Sequence, residues 1–109
     1  MATTYKVLGQ VNPSATTATT LYTVPSSTAT VASTISVCNQ AGTAATYRIA
    51  VRPAGATLEA KHYIVYGATV PASDATMLTL GITLATTDVV TVYASSANLS
   101  FNLFGSEIA

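Results

Sequence analysis

Charged side chains are scarce in this sequence. Only 7% of its 109 residues are Asp, Glu, Lys or Arg, against about 25% in an average globular domain, and four bases balance four acids. Because no basic field exists to attract phosphates, we expect no nucleic acid partner. A net charge of zero gives little colloidal repulsion, so the composition favours association with other protein surfaces.

Long apolar runs are also missing. A membrane-spanning helix needs about 20 consecutive apolar residues, and Thr, Ser, Asn or Gly interrupts every apolar stretch here. Residues 1–5 show no basic segment followed by an apolar one, so we expect no secretory signal and synthesis in a reducing cytoplasm. The single cysteine, Cys38, allows no disulfide within the chain.

The sequence has few residues that could carry chemistry. A metal site usually needs three or four His, Cys or carboxylate ligands, but His62 is the only histidine and Cys38 the only cysteine. A Cys38–His62 dyad in a small hydrolase is formally possible, but no Gly-rich elbow flanks the cysteine. We therefore predict no enzymatic activity, metal or cofactor. The four acids lie in predicted loops or at strand ends, where solvated turn roles are expected: Glu59, Asp74, Asp88 and Glu107.

Thr, Val, Ile and Tyr dominate what is present, and they alternate with a period of two, which is typical of β-strands. Turn signals recur roughly every ten residues. We therefore predict an all-β single domain over residues 1–109. It should be a two-sheet antiparallel β-sandwich of seven to eight short strands, with jelly-roll or immunoglobulin-like strand order. The predicted strands cover 5–11, 21–24, 30–38, 46–52, 62–66, 77–84, 89–94 and 99–103.

The alternation also predicts pairing and the core. Residues 30–38 and 46–52 are expected to form a hairpin around a turn at 39–42. Within residues 1–20, the patternless segments 2–5 and 12–20 are expected to be flexible arms that order on a neighbour. The predicted core face consists of Val31, Ile35, Val37, Tyr47, Ile49, Val51, Leu78, Leu80, Ile82, Leu84, Val90, Val92, Leu99, Phe101 and Leu103.

Two arginines and a small aromatic group are the candidate binding residues. Arg48 and Arg52 lie four apart in a strand and share its outward face, where they serve solubility or pair with acidic groups of a partner. His62, Tyr63 and Tyr66 are expected to pack in the core or an interface in preference to stacking on a sugar. The interface candidates are Arg48, Arg52, Lys61 and Tyr63.

Several motifs carry a resemblance to a known group of proteins. They are the stretches 21–25 (LYTVP), 35–39 (ISVCN), 47–53 (YRIAVRP), 78–84 leading to 87–90 (TDVV), and 99–105 (LSFNLFG). Over nearly the whole chain, this resembles small virion structural proteins of tailed bacteriophages, cyanophages among them. The resemblance implies a phage particle component with a β-sandwich fold. It carries over no functional residues.

The expected role is an accessory virion protein that is assembled in the host cytoplasm. It would bind the major capsid protein or other virion proteins, as a head decoration (cement) protein or at the tail or neck. Since few charges protect its strand edges, we expect a homo-oligomer, with a trimer as the first expectation. The alternative is a tail or fibre module that binds a host receptor or glycan through Tyr63, Tyr66 and Tyr93.

Overall fold

The chain folds almost entirely into strands. In the computed structural model, which describes residues 2–109, two 3-10 turns, Pro53–Gly55 and Ala60–His62, join the fourth strand to the fifth. The predicted all-β class is confirmed, and eight strands is the upper of the two expected numbers. The strands are β1 (Thr3–Val11), β2 (Thr19–Thr23), β3 (Ala29–Asn39), β4 (Ala45–Arg52), β5 (Tyr63–Val70), β6 (Ala75–Leu84), β7 (Val89–Ala94) and β8 (Leu99–Ile108).

The strands form two antiparallel sheets of four. The first sheet has the order β1-β8-β3-β6 and the second sheet the order β2-β7-β4-β5. Strand one therefore pairs with eight, two with seven, three with six and four with five. This is the arrangement of a long hairpin folded over on itself, and it is the strand order of an eight-stranded jelly roll. The predicted β-sandwich is confirmed, and of the two strand orders considered, the structure has the jelly roll.

The predicted hairpin between residues 30–38 and 46–52 is wrong. These residues belong to β3 and β4, which lie in different sheets. The connection after Asn39 crosses from the first sheet to the second and does not turn back beside β3. Alternation in the sequence shows which side chains of a strand share a face, but it does not show which strand lies beside it.

Side chains from both sheets meet in one core. Tyr47 of β4 and Phe101 of β8 pack edge to face across the two sheets, with ring centroids 6.2 Å apart. Such a pair adds about 0.5–1.5 kcal/mol to the stabilisation from area burial. The predicted core residues that are confirmed as buried are Ile35, Val37, Tyr47, Ile49, Leu84, Val90, Val92, Leu99, Phe101 and Leu103.

Val31 was expected in the core, and this prediction is wrong. The pairing of β3 with β8 shifts between Ala32 and Thr34, which leaves Ser33 as an extra residue in β3. Because one inserted residue reverses the inward and outward faces, Thr30 and Ala32 point inward beyond the bulge and Val31 points outward. Strict alternation cannot reveal this reversal.

Four further residues of the predicted core pack against it but are only half-buried. They are Val51, Leu78, Leu80 and Ile82. The last three lie on β6, which is an edge strand of the first sheet, so one of its flanks has no neighbouring strand. The prediction placed them on the correct face but overestimated how much of each side chain is covered.

The two predicted arms belong to the sandwich itself. Thr3–Val11 forms β1, which pairs with β8 along its whole length. Between β1 and β2, the Asn12 side-chain amide donates to the carbonyl oxygens of Ala97 and Leu99 at 3.0 and 2.6 Å. Residues 3–12 are therefore held by contacts within the chain. Met1, the first residue of the predicted 1–20 segment, lies outside the described residues.

Candidate functional site

Arg48 lies between two tyrosine rings on the outer face of the second sheet. In the pairing register it is opposite Tyr66 of β5 on one side and Tyr93 of β7 on the other. Residues directly opposite in antiparallel strands project to the same face. The guanidinium carbon of Arg48 lies 4.2 Å from the centroid of each ring. This double cation–π contact fixes the positions of the Tyr66 and Tyr93 rings on either side of the arginine.

Tyr63 joins the same group. Its ring meets that of Tyr66 edge to face, with centroids 5.0 Å apart and an angle of 86° between the planes. Residues three apart in a regular strand point to opposite faces, but the β4–β5 register skips Ile64. This bulge turns both rings outward. We call Arg48, Tyr63, Tyr66 and Tyr93 the tyrosine–arginine cluster.

Arg52, the second predicted interface arginine, is engaged within the chain. Its Nε donates to Thr91 Oγ1 at 3.0 Å, and its Nη1 donates to the carbonyl oxygen of Ala56 at 3.0 Å. Both contacts hold the β4–β5 connection over the outer face of the second sheet. That cover explains why Thr91 and Val89 are buried although they belong to the outward positions of β7. Arg52 thus has a structural role in ordering the connection.

The side chain of Asp88 also holds this connection. The two carboxylate oxygens of Asp88 accept hydrogen bonds from the backbone N–H groups of Ala54 and Ala85, at 2.9 and 2.8 Å. Asp88 therefore joins the β4–β5 connection to the β6–β7 turn. Arg52 and Asp88 thus hold the connection in place as a wall beside Tyr63 and Tyr66.

A cavity lies where this wall meets the tyrosines. It has a volume of about 590 Å³ and is lined by Leu58, Glu59, Ala60, Tyr63 and Tyr66. Lys61, another predicted interface residue, is exposed and follows the lining residue Ala60 in the chain. The volume lies within the range of about 300–1,000 Å³ typical of small-molecule sites. We call this the Tyr63–Glu59 cavity.

His62 orders the segment that carries Glu59. Its side chain is buried, and its Nδ1 accepts a hydrogen bond from the backbone N–H of Glu59 at 3.0 Å. In return, the Glu59 carboxylate accepts a hydrogen bond from the backbone N–H of His62. This reciprocal pair places the carboxylate at the cavity wall. Residues 58–60 had no expected binding role, because their position depends on how the connection folds back.

The outer face of the first sheet is of a different kind. Tyr5 and Val7 project from β1 and Phe104 from β8, and all three are exposed, Tyr5 by 85%. Val7 and Phe104 are directly opposite each other in the register. A shallow depression of about 390 Å³ lies beside them, with Val31 and Lys6 in its lining. We call Tyr5, Val7, Val31 and Phe104 the β1–β8 patch.

This face differs from the other in its charge. Lys6 and Glu107 lie on β1 and β8, but they alternate with the patch residues and therefore point to the inner side. There the Lys6 ammonium contacts the Glu107 carboxylate at 3.1 Å. Asp74 lies in the turn before β6. Over residues 2–109, the register thus directs no charged side chain to the outer face of the first sheet.

The structure does not bring Cys38 and His62 together. Cys38 projects from the outer face of β3 in the first sheet, whereas His62 packs against the second sheet. No cluster of three or more potential metal-ligating side chains occurs within residues 2–109. In the same range, no helix has the length and apolar character that crossing a bilayer requires.

No protein-family model matches this chain, and neither a curated protein nor a solved structure gives a significant match. The arguments for function therefore start from the two outer faces. One carries exposed apolar side chains and has no charged side chain directed to it by the register, and the other carries an arginine stacked on tyrosines beside a cavity.

Proposed function

We propose that this chain is a non-enzymatic virion structural protein of a tailed bacteriophage, which decorates the assembled head and stabilises it. The observation that carries the proposal is the β1–β8 patch, in which exposed apolar side chains lie on a sheet face to which the register directs no charged side chain. Burying these apolar side chains against a capsid protein is favourable, and Lys6, which borders the depression, already has Glu107 as its partner. The resemblance of the sequence motifs to small phage virion proteins supports the same role.

The stabilisation follows from the link between binding and the assembly equilibrium of the shell. A protein that binds the assembled shell and not its free subunits raises the stability of the shell. The proposed protein is a homo-oligomer, with a trimer as the first expectation, because several linked patches bind a repetitive surface far more tightly than one. The jelly-roll fold is compatible with this role, but capsid, lectin and cupin domains share it, so the argument depends on the patch.

Capsid addition tests the proposal. Purified protein is added to phage shells that lack it, and binding is measured by co-sedimentation and by the temperature at which the shells disrupt. We expect binding and a higher disruption temperature. Tyr5→Asp and Phe104→Asp should each weaken binding about 30-fold, the effect of losing a hot spot of about 2 kcal/mol. Tyr66→Ala, on the opposite sheet, is the control and should bind normally.

Two outcomes would overturn the proposal. One is that the unmodified protein does not bind the shells. The other is that the Tyr5 and Phe104 variants, shown to be folded by circular dichroism, bind as well as the Tyr66 variant does. In the second case the shell would contact another surface.

A second candidate function uses the other sheet. A tail- or fibre-associated module that binds a receptor or glycan needs exposed aromatic rings around a recess, and Tyr63 and Tyr66 line the Tyr63–Glu59 cavity. Their gathering on one face is the observation that favours it. The two roles occupy opposite outer faces, so one chain has room for both.

A further inference from the structure

The walls of the Tyr63–Glu59 cavity form an aromatic corner. The rings of Tyr63 and Tyr66 stand at 86° to each other, and Tyr66 is 66% exposed. Leu58 adds an aliphatic side chain to the lining. Flat aromatic surface of this kind stacks on the apolar face of a ligand, and tyrosine retains a hydroxyl for hydrogen bonding at its edge.

The corner is preorganised. Arg48 lies 4.2 Å from the ring centroid of Tyr66 and is braced by Tyr93 on its other side. The backbone of Glu59 is held by the imidazole of His62. Because these groups are ordered before a ligand arrives, little side-chain entropy is lost on binding.

The polar group of the cavity is the Glu59 carboxylate, which accepts hydrogen bonds. One hydrogen bond, from the backbone N–H of His62, reaches the Glu59 carboxylate, and a carboxylate has about four acceptor positions. The remaining positions suit ligand hydroxyl groups. A hydroxyl-rich ligand with an apolar face would thus meet an acceptor and a stacking surface in the same cavity.

The charges around the cavity restrict the ligand further. The carboxylate of Glu59 in the lining repels phosphate, sulfate and carboxylate groups. The guanidinium of Arg48 already occupies a π face of Tyr66, so a second cation stacked on this ring would meet a like charge. Glu59 and the exposed Lys61, two residues apart, balance each other in charge, which favours a neutral ligand.

We propose that the Tyr63–Glu59 cavity binds a neutral sugar residue, which packs into the corner between the rings of Tyr66 and Tyr63 and donates hydroxyl hydrogen bonds to Glu59. This inference deepens the second candidate function and does not depend on capsid decoration. Arg48 acts as a positioning residue, since it orients Tyr66 and does not line the cavity itself.

The test is a glycan array followed by titration. The array contains neutral hexose and N-acetylhexosamine oligosaccharides, sialylated glycans, and cationic glucosamine oligomers. We expect binding to at least one neutral oligosaccharide, whose affinity is then measured by calorimetry. Tyr66→Ala should weaken binding about tenfold or more, as expected for loss of a stacking ring, whereas Tyr66→Phe should retain most of it. Glu59→Gln should weaken it too, since the amide offers fewer acceptor positions.

The control is Tyr5→Asp, which alters the opposite sheet and should leave sugar binding unchanged while it impairs capsid addition. A failed capsid experiment and a failed array are therefore distinguishable. The inference is overturned if no neutral glycan binds, if only sialylated or cationic glycans bind, or if a folded Tyr66→Ala variant binds the neutral glycan as tightly as the unmodified protein.

Discussion

The phenol of Tyr22 donates a hydrogen bond to Oε2 of Glu107 at 2.5 Å and so joins β2 of the second sheet to β8 of the first. The same phenol lies 2.8 Å from Thr30 Oγ1, and Lys6 contacts the other oxygen of Glu107. Burial, together with the bond to Glu107, raises the pKa of Tyr22 to about 12. The hydrogen bond from Tyr22 lowers the pKa of Glu107. This network closes one end of the sandwich with polar groups that are all partnered.

Alkaline pH should weaken the fold through Tyr22. Its pKa is about 12 in the folded protein and 10.0 by default, so its contribution is complete below pH 10 and is lost as pH rises towards 12. Urea unfolding at pH 7 to 12 measures this loss. Tyr22→Phe should be less stable at pH 7, by about 1–3 kcal/mol, and less sensitive to alkali. Burial also raises the pKa of Tyr47, so some sensitivity should remain.

Tyr5→Phe is the matched control, because the Tyr5 ring is exposed. It should keep the stability and the alkaline slope of the unmodified protein. An unchanged slope in Tyr22→Phe would contradict the assignment of this slope to Tyr22.

Gly105 should not tolerate a side chain. It pairs with Ala32 beside the bulge in β3, and a Cβ there would overlap the carbonyl oxygen of Val31 and lie 2.9 Å from Ala32 Cα. Gly105→Ala should lower the free energy of unfolding by about 1–3 kcal/mol, measured by chemical denaturation. Gly42→Ala is the control, since no heavy atom lies within 4 Å of its Cβ position, and it should change stability by less than about 0.5 kcal/mol. Equal effects of the two variants would be inconsistent with this packing.

The side-chain amide of Asn39 should be required for the full stability of the fold. It is buried, and its Nδ2 donates to the carbonyl oxygens of Thr43 and Val70 while its Oδ1 accepts from the N–H of Ala41. Asn39→Asp keeps the shape but sets a carboxylate against carbonyl oxygens, so we expect a loss of at least about 2 kcal/mol at neutral pH. Gln40→Glu makes the equivalent exchange at an exposed neighbour and should have little effect. A small loss at Asn39 would show that the loop rearranges without cost.

The reactivity of the Cys38 thiol should show whether the outer face of the first sheet is covered in the complex with the capsid. Its side chain projects from the outer face of the first sheet, opposite Ser100, and is partly exposed. A maleimide should label it in the free protein and react much more slowly after capsid addition. A contact of about 800 Å² on each partner extends over most of a four-stranded face, which is why protection should reach Cys38. At the same concentration the more weakly bound Tyr5→Asp should be protected much less, and rapid labelling of bound protein would contradict a contact that extends to Cys38.

Local sequence patterns predicted much of the strand content but little of the binding surface. The strand at 89–94 has the expected bounds, whereas β5 and β8 extend beyond their predicted ends to Val70 and Ile108. Tyr63 and Tyr66 were recognised as a group, yet their common outward direction depends on the bulge at Ile64. The candidate interface roles of Arg48, Arg52, Lys61 and Tyr63 stay predictions, although the structure gives both arginines partners within the chain.

By itself, the sequence determined that this chain is all-β and has an inner and an outer set of side chains, because strand propensity and alternation are properties of neighbouring residues. Tertiary structure decided which strands pair, where the bulges fall, and therefore which face Val31 and Tyr66 occupy. Those outcomes depend on contacts between residues far apart in the chain, such as Arg48 with Tyr93. A one-residue shift in pairing reverses a whole face, so the β1–β8 patch and the tyrosine–arginine cluster exist only in the folded chain.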